Sequence, residues 1–308
     1  MSNGVLFFPA TPFTREDVLD VDVLARHIEQ GIEAGAGGVF VACGTGEFHA
    51  LSRSETRVAV ETAVAVAAGR VEVFAGVGGS RDQAREFNEI AATAGADGIL
   101  VLPPYLVESP PLGLVRYVAE VLDASPLPGI VYQRGNARFD VPSARALAQL
   151  DRVIGFKDGT GQIAAVGAIL EAMKDATDKP LRFFNGTPTA ELRQFEYRDI
   201  GIDLYSSAVF AFVPEIATAF HDAYTANDRD RAEQLLESFY RPFAALRDKV
   251  EGYAVALVKA GMAIRGIDPG GVRAPLVDVS EAHTVELRTI IDRGLREVEQ
   301  LDVAVSAG

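Results

Sequence analysis

Short apolar runs recur along the first two thirds of the chain, and the segments between them carry the helical spacing of apolar residues. Each run has the length of a buried strand. The eight runs begin near Val5, Gly38, Glu72, Gly98, Gly129, Val153, Arg182 and Asp203. Two of the intervening helices open with the spacing of a capping box, Ser52-x-x-Glu55 and Ser80-x-x-Gln83. The pattern predicts eight strands that alternate with helices.

Eight such alternations favour a (β/α)8 barrel over a doubly wound sheet. The first strand is followed by FPATPF, which lacks the glycine-rich fingerprint of a dinucleotide-binding fold. Beyond about Asn227 the apolar spacing is helical in three segments, 228–248, 251–265 and 280–300. We therefore predict an α/β protein, a TIM barrel over residues 1–226 with a C-terminal helical extension over residues 227–308 packed on it.

Charge and composition exclude several classes of protein. The chain has 308 residues, 48% of them hydrophobic, and its 43 acidic residues outnumber 29 basic ones to give a net charge of −14. A surface that binds nucleic acid needs clustered lysine and arginine residues, and the sequence contains no such cluster. No apolar run reaches the roughly 18 residues of a membrane span, and the N-terminus lacks the basic start of a signal peptide. We expect a cytoplasmic protein that binds neither nucleic acid nor membrane.

The few cysteine and histidine residues argue against metal and thiol chemistry. Cys43 is the only cysteine, which excludes intrachain disulfides and cysteine-rich zinc sites. The four histidines are dispersed along the chain, whereas a metal centre needs clustered ligands. Cys43 has only His49 nearby in sequence as a partner for nucleophilic catalysis. We predict that no metal is bound.

Strand alternation points Lys157 into the barrel. In VIGFKD (153–158), Gly155 and Lys157 share one face, and apolar Ile154 and Phe156 share the face that suits the surrounding helices. Lys157 then lies near the C-terminal ends of the strands, where barrels of this kind carry their active sites. A buried lysine is costly unless it is paired, deprotonated or covalently used. We favour a reactive amine over an ammonium group paired with an interior carboxylate.

Two further strand ends offer chemistry that suits a reactive lysine. Tyr132 shares a strand face with Ile130; an interior tyrosine is often a hydrogen-bonded core residue, but beside a desolvated lysine it can exchange protons. The turn CGTGE (43–47) offers several backbone N–H groups, which can hold a carboxylate, and the Thr45 hydroxyl adds a donor. For Glu47 we expect a structural role, capping amides of its own loop.

Four segments together resemble the dihydrodipicolinate synthase / N-acetylneuraminate lyase family. They are GVLFFPATPF (4–13), CGTGEF (43–48), VYQRGN (131–136) and GFKDGTG (155–161). The resemblance covers essentially the whole chain in the right order. It implies a (β/α)8 enzyme that binds its substrate as an imine on a lysine, uses no cofactor, and forms a homotetramer or homodimer.

Within that family, the segments YQRGNAR, FNGTPTAE and YSSAVFAFVPEIA resemble those of a decarboxylating dehydratase branch. This implies a small-molecule keto-diacid substrate that loses water and carbon dioxide. Two alternatives remain open. A pyruvate-forming aldolase of the same family shares the imine but breaks a carbon–carbon bond, and a non-catalytic ligand-binding barrel would make the lysine dispensable.

The resemblance carries roles onto individual residues. Lys157 matches the Schiff-base lysine, and Tyr132 matches the tyrosine that moves protons at the imine. Gly44, Thr45 and Gly46 match the loop that holds the α-keto carboxylate. The synthases usually have two adjacent threonines where this chain has Gly44-Thr45, so their threonine-bridged tyrosine relay lacks one hydroxyl here.

The loop after Tyr132 departs from the synthase pattern. Gln133, Arg134 and Gly135 follow the tyrosine, and Arg138 lies one place beyond the expected arginine, which indicates a changed substrate. Six side chains are candidates for binding the distal end of that substrate: Arg134, Arg138, Asn185, Thr187, Ser206 and Ser207. An arginine clamp would stabilise a carboxylate that has to depart. We therefore prefer the neutral donors Asn185 or Ser207 near the reacting end.

Overall fold

The computed structural model describes residues 4–104 and 107–306 and confirms the predicted barrel. Eight parallel strands close on themselves, with each strand paired to its neighbours in sequence and β8 paired to β1. The strands are β1 (Leu6–Phe7), β2 (Gly38–Val41), β3 (Val73–Val77), β4 (Gly98–Val101), β5 (Gly129–Gln133), β6 (Val153–Asp158), β7 (Arg182–Asn185) and β8 (Leu204–Ser207). Every predicted apolar run contains one of them.

Eight helices follow the strands. They are α1 (Val21–Glu33), α2 (Arg53–Ala67), α3 (Arg81–Ala94), α4 (Pro111–Leu122), α5 (Val141–Ala148), α6 (Ile163–Ala176), α7 (Gln194–Asp199) and α8 (Pro214–Thr225). The two predicted capping boxes are present, because the Ser52 hydroxyl accepts from the Glu55 amide and the Ser80 hydroxyl from the Gln83 amide. These contacts fix where α2 and α3 begin.

The C-terminal extension is helical, as predicted. It contains α9 (Arg229–Leu235), a π-helical turn (Leu236–Tyr240), α10 (Arg241–Arg247), α11 (Tyr253–Ile264) and α12 (Glu281–Ser306). Its apolar side chains join the barrel core, since the Phe212 ring after β8 lies 5.6 Å from that of Phe243 in α10. No helix in the described part of the chain is long and apolar enough to cross a bilayer. The division after residue 226 stays a prediction.

Aromatic rings fill the barrel below its C-terminal rim. Phe8, Phe40 and Phe74 stack in sequence, with ring centroids 4.6 Å and 5.0 Å apart. At the opposite end, Arg182 pairs with Glu72 at 3.2 Å. Because this aromatic layer fills the interior beneath the C-terminal strand ends, we expect a substrate to enter from the rim that those strand ends form.

Candidate active site

Lys157 lies at the end of β6 with its amine inside the barrel, as predicted. The side chain is 6% exposed, and Nζ lies 3.9 Å from the centroid of the Phe8 ring. Within the described residues, no carboxylate lies at ion-pair distance from this amine, so the alternative of a paired ammonium group is not what the structure shows. Burial lowers the pKa of Lys157 to about 7, and the Arg134 charge acts in the same direction. A substantial fraction of the amine is therefore neutral and nucleophilic near neutral pH.

Tyr132 is the partner of Lys157 in the register between β5 and β6. Its ring centroid lies 4.8 Å from Lys157 Nζ, and its hydroxyl donates to the Gly186 carbonyl at 2.9 Å. Burial raises the pKa of Tyr132, an effect that Arg134 opposes. The phenol thus keeps its proton in the resting site and can donate it to a group that forms beside the lysine.

Two glycines that sequence reasoning missed create the space for this pair. A Cβ atom on Gly186 would lie 2.4 Å from Lys157 Cε and 3.0 Å from Tyr132 Cε2. A Cβ atom on Gly159 would lie 2.8 Å from the Tyr132 hydroxyl. Both glycines follow strand ends, in FNG and FKDG, which is the only signal the sequence carried. No residue with a side chain fits at either position without displacing the reactive groups.

The Gly44–Thr45–Gly46 loop leaves β2 at the rim. None of its three backbone N–H groups donates a hydrogen bond to another described residue. The loop is shaped by a turn in which the Glu47 amide donates to the Gly44 carbonyl, and by Thr11 Oγ1, which donates to the Gly46 carbonyl at 2.6 Å. Three amides in one short loop, none of which has an acceptor in the described part of the chain, form a site suited to an anionic group.

Glu47 does not cap its own loop, so that expectation was wrong. Its carboxylate is fully buried and lies 2.6 Å from Nζ of Lys259 in α11. The other carboxylate oxygen accepts from the backbone amide of Arg273 at 2.8 Å. Both partners come from the C-terminal extension, more than 200 residues further along the chain.

Arg134 and Arg138 lie in the exposed loop after β5. A bridge between Arg134 and Ala137 folds this loop back on itself. Arg134 follows Tyr132 by two residues, so it continues the inward-facing side of the strand, and its charge acts on both Tyr132 and Lys157. The structure therefore brings Arg134 to the rim near the reactive pair, and leaves Arg138 exposed further along the loop.

Ser206 and Thr187 are half-buried at the strand ends. Tyr205 packs outward against the Phe220 ring of α8, so Ser206, its neighbour on β8, is on the inner face. The Thr187 hydroxyl donates to Asn185 Oδ1 at 2.7 Å in the loop after β7. Ser206 is the neutral donor that the strand alternation places toward the barrel interior.

Asn185 and Ser207 lie on the outer face of the barrel, so the structure does not support our preference for them as substrate donors. The Asn185 amide donates to the Ala190 carbonyl at 3.0 Å and to Gln194 Oε1 at 3.1 Å. The Ser207 hydroxyl donates to Glu191 Oε1 at 2.5 Å and accepts from the Phe210 amide. Their hydrogen-bonding capacity is used within the protein, where it holds the loops after β7 and β8.

The rim carries no metal-binding cluster in the part of the chain that the structure describes. Among residues 4–104 and 107–306, no group of three or more histidine, cysteine, aspartate or glutamate side chains is arranged to hold an ion. Cys43 is buried beside the reactive lysine, and its burial raises the pKa of the thiol to about 12. A thiol of this kind is a poor nucleophile, which leaves Lys157 as the nucleophile that the geometry offers.

Comparison with known sequences identifies relatives along nearly the whole chain. The model of the dihydrodipicolinate synthetase family matches residues 1–293. A probable 5-dehydro-4-deoxyglucarate dehydratase 1 of Streptomyces coelicolor is 49% identical over 97% of this chain and 95% of its own length. A probable 5-dehydro-4-deoxyglucarate dehydratase of Rhizobium meliloti is 40% identical over 96% of this chain and 97% of its own.

Solved structures share the architecture. Dihydrodipicolinate synthase from Oceanobacillus iheyensis superposes with a TM-score of 0.86 over 94% of this chain and 95% of its own, at 24% identity. A dihydrodipicolinate synthase variant described as monomeric superposes with a TM-score of 0.83 over 94% of this chain and 96% of its own, at 23% identity. At these identities the similarity establishes the barrel and its extension.

Proposed function

Because this chain belongs to the dihydrodipicolinate synthetase family, we propose that it is a Schiff-base lyase that converts 5-dehydro-4-deoxyglucarate to 2,5-dioxopentanoate, water and carbon dioxide. The observation that carries the chemistry is the buried amine of Lys157 beside the Tyr132 phenol, at ion-pair distance from no carboxylate of the described residues. What supports this branch of the family is the similarity to relatives named as dehydratases of this substrate, 49% identical in one case.

The first step is attack of the neutral Lys157 amine on the ketone carbon, C2, counted from the keto end of the six-carbon diacid. The adduct is a carbinolamine, which loses its hydroxyl group as water to give the protonated imine. Tyr132 is placed to deliver the proton for that departure, because its hydroxyl lies at the same rim as the amine.

The imine then acts as an electron sink. Loss of a proton from C3 gives an enamine, whose electrons expel the C4 hydroxyl group as water and leave an imine conjugated with a C3–C4 double bond. The bond between C5 and C6 breaks next, its electron pair moves into the conjugated system, and C6 leaves as carbon dioxide. Protonation, tautomerisation of the C5 enol to an aldehyde, and hydrolysis of the imine release 2,5-dioxopentanoate and restore Lys157. No external cofactor enters this sequence.

The Gly44–Thr45–Gly46 loop suits the carboxylate at C1. Its three amides have no other acceptor among the described residues, and the half-buried Thr45 can add its hydroxyl. Holding C1 there places the adjacent ketone beside the amine. Because the protein carries a net charge of −14, these local donors have to capture a dianionic substrate against the overall field.

The distal carboxylate has to be held without being stabilised against departure. We assign this end to the rim donors on the inner side, Ser206 and Thr187, with Arg134 drawing the dianion toward the mouth and Arg138 as a second charge on the same exposed loop. Asn185 and Ser207 are left out of the proposed site because they lie on the outer face of the barrel, away from the reactive pair. We further propose that the protein is cytoplasmic and assembles as a homotetramer or homodimer. Light scattering would measure the assembly.

A product assay with 5-dehydro-4-deoxyglucarate tests the proposal. We expect mass spectrometry to detect 2,5-dioxopentanoate, with one equivalent of carbon dioxide trapped in parallel. Borohydride reduction during turnover should fix substrate carbon on Lys157, and Lys157→Ala should remove both signals while retaining the native circular dichroism. Pyruvate without carbon dioxide would identify an aldolase instead. Undiminished turnover by the alanine variant would refute the imine mechanism.

A further inference from the structure

Glu47 occupies an unusual position for a charged residue. It directly follows the Gly44–Thr45–Gly46 loop, whose amides donate to no other described residue. Its backbone is in the left-handed region at φ 55°, and its side chain is fully buried. A non-glycine residue in this conformation carries strain that surrounding contacts have to hold in place. The contacts of its carboxylate are therefore the ones that hold this strained backbone in place.

The carboxylate of Glu47 is held by Lys259 of α11. Lys259 Nζ lies 2.6 Å from Glu47 Oε1, donates to the Gly271 carbonyl at 2.7 Å, and lies 4.2 Å from the centroid of the Phe13 ring. Lys259 is 3% exposed, so this is an ion pair removed from water. Such a pair is a weak source of stability, because desolvation offsets the attraction, but removing one partner is costly.

Arg273, in the segment between α11 and α12, provides the second anchor. Its backbone amide donates to Glu47 Oε2, while its guanidinium group pairs with Glu55 of α2 and with Asp17, both at 2.6 Å. The same guanidinium donates to the Ala50 carbonyl at 3.0 Å. The segment is thereby tied to the loops after β1 and β2. Its Arg273 amide, fixed by these contacts, holds the Glu47 carboxylate in place.

We propose that Glu47, held by Lys259 and Arg273, is a positioning residue that orients the Gly44–Thr45–Gly46 amides toward the substrate carboxylate. This inference rests on the proposed function of that loop. It assigns the C-terminal extension a part in building the binding site, although none of the residues that face the substrate belongs to it. Glu47 itself touches no substrate.

The proposal predicts an effect that depends on the carboxylate of the ligand. If Glu47 sets the direction of the three amides, its loss weakens binding of an α-keto acid and leaves binding of the corresponding ester unchanged, because the ester lacks the charge that the amides receive. A residue that merely stabilised the fold would affect both ligands alike. Pyruvate and methyl pyruvate are the smallest pair of probes for this comparison.

The experiment measures borohydride-trapped adduct on Lys157 by mass spectrometry as a function of probe concentration. For the unaltered chain we expect half-saturation by pyruvate well below that by methyl pyruvate. Glu47→Gln should raise the pyruvate value about 10-fold or more, the loss expected for a hydrogen-bonded charge, and leave the methyl pyruvate value unchanged. Lys259→Met should shift pyruvate in the same direction, and the double variant should be no worse than either single one, since both act through one contact.

A matched control is Glu286→Gln, which removes a half-exposed ion pair with Lys249 elsewhere in the extension and should alter neither probe. If Glu47→Gln does not fold, the double variant with Lys259→Met, which leaves no unpaired buried charge, takes its place. Equal shifts for both probes, or none, would overturn the positioning role. Failure of the unaltered chain to prefer pyruvate would overturn the amide site itself, and failure to trap either probe would overturn the imine function.

Discussion

Lys157 and Tyr132 face one another across the register of β5 and β6, with Lys157 Nζ 4.8 Å from the centroid of the Tyr132 ring. Burial acts on the two groups in complementary directions: it lowers the pKa of the amine and raises that of the phenol. Both groups are therefore favoured in their uncharged forms, one as a nucleophile and the other as a proton donor. The pairing of Lys157 with Tyr132 therefore gives the barrel a nucleophile and a proton donor side by side at its C-terminal rim.

Replacing Tyr132 with phenylalanine should separate proton transfer from packing. The ring and its contact with Lys157 stay, while the hydroxyl that donates to Gly186 is lost. We expect the rate of imine formation, followed by borohydride trapping, to fall by about 10²- to 10⁴-fold. The free energy of unfolding should change by only about 1 kcal/mol, the value of one hydrogen bond. A variant that forms the imine at an unaltered rate would exclude Tyr132 as the proton donor.

The rate of imine formation should follow the ionisation of Lys157. Below its pKa of about 7 the amine is protonated and has no lone pair for attack, so the rate at low substrate should fall about 10-fold for each further pH unit and level off above pH 7. Arg134→Leu removes a positive charge that disfavours the ammonium form, so it should raise the pKa of Lys157 and move the acidic limb to higher pH. Stopped-flow measurements between pH 5 and 9 give the midpoint.

Arg138→Leu provides the matched comparison for Arg134→Leu, because it removes the same charge from the same exposed loop. Arg138 does not contribute to the pKa shift of Lys157, so the midpoint should stay where it is in the unaltered chain. A limb that moves equally in both variants would mean that the loop acts through its overall charge, and a limb that moves in neither would contradict a role for Arg134 in setting the pKa of Lys157.

Gly186→Ala should disable the site without unfolding the barrel. The added Cβ atom would lie 2.4 Å from Lys157 Cε, so the lysine side chain has to move, and a displacement of about 1 Å can cost about 100-fold in rate.

The control for Gly186→Ala is Gly167→Ala in α6, where the nearest atom to the added carbon is 4.0 Å away. That change should keep full activity and raise the free energy of unfolding by about 0.5–1 kcal/mol, because alanine suits a helix better. Steady-state kinetics and urea unfolding compare the two, and full activity of Gly186→Ala would contradict the crowding.

The barrel and its reactive pair could be predicted because their signals are local. Apolar runs repeat at the length of a strand–helix unit, and Ser52 with Glu55 marks a helix start within four residues. Alternation within β6 sufficed to place Lys157 inside. The same rule, applied to β7, would have placed Asn185 outside, since the register pairs Asn185 with the outward-facing Asp158 and Tyr205. Residue type and position at a strand end, which favour Asn185 as a donor, do not contain this information.

Other features of the site depend on contacts that no local pattern encodes. The partner of Glu47 is Lys259, 212 residues further along the chain in a helix of the extension, and nothing near CGTGE indicates it. The need for glycine at position 186 appears only once two neighbouring strands bring Lys157 and Tyr132 together. Such residues are fixed by the distances between elements, which a single sequence does not contain.

Glu191 is a buried carboxylate whose effect is on stability. It lies in the short helical segment after β7, is 1% exposed, and accepts a hydrogen bond from the Ser207 hydroxyl. Burial raises its pKa to about 7, and the Ser207 hydrogen bond acts in the opposite direction. Because the folded state holds this proton more tightly than the unfolded chain, the contribution of Glu191 to stability is present at low pH and is lost as pH rises through about 7.

Glu191→Gln should remove this pH dependence. The glutamine keeps the shape and does not titrate, so the free energy of unfolding of the unaltered chain, minus that of the variant, should fall between about pH 4.5 and 7 and then level off. Ser207→Ala removes the hydrogen bond that favours the carboxylate and so raises the pKa of Glu191 further. In the Ser207→Ala background, the same comparison of Glu191 with glutamine should therefore show a fall that extends to higher pH. Urea unfolding at pH 5, 6, 7 and 8 measures each difference. A difference that stays flat or rises with pH would show that Glu191 is already charged in the folded state.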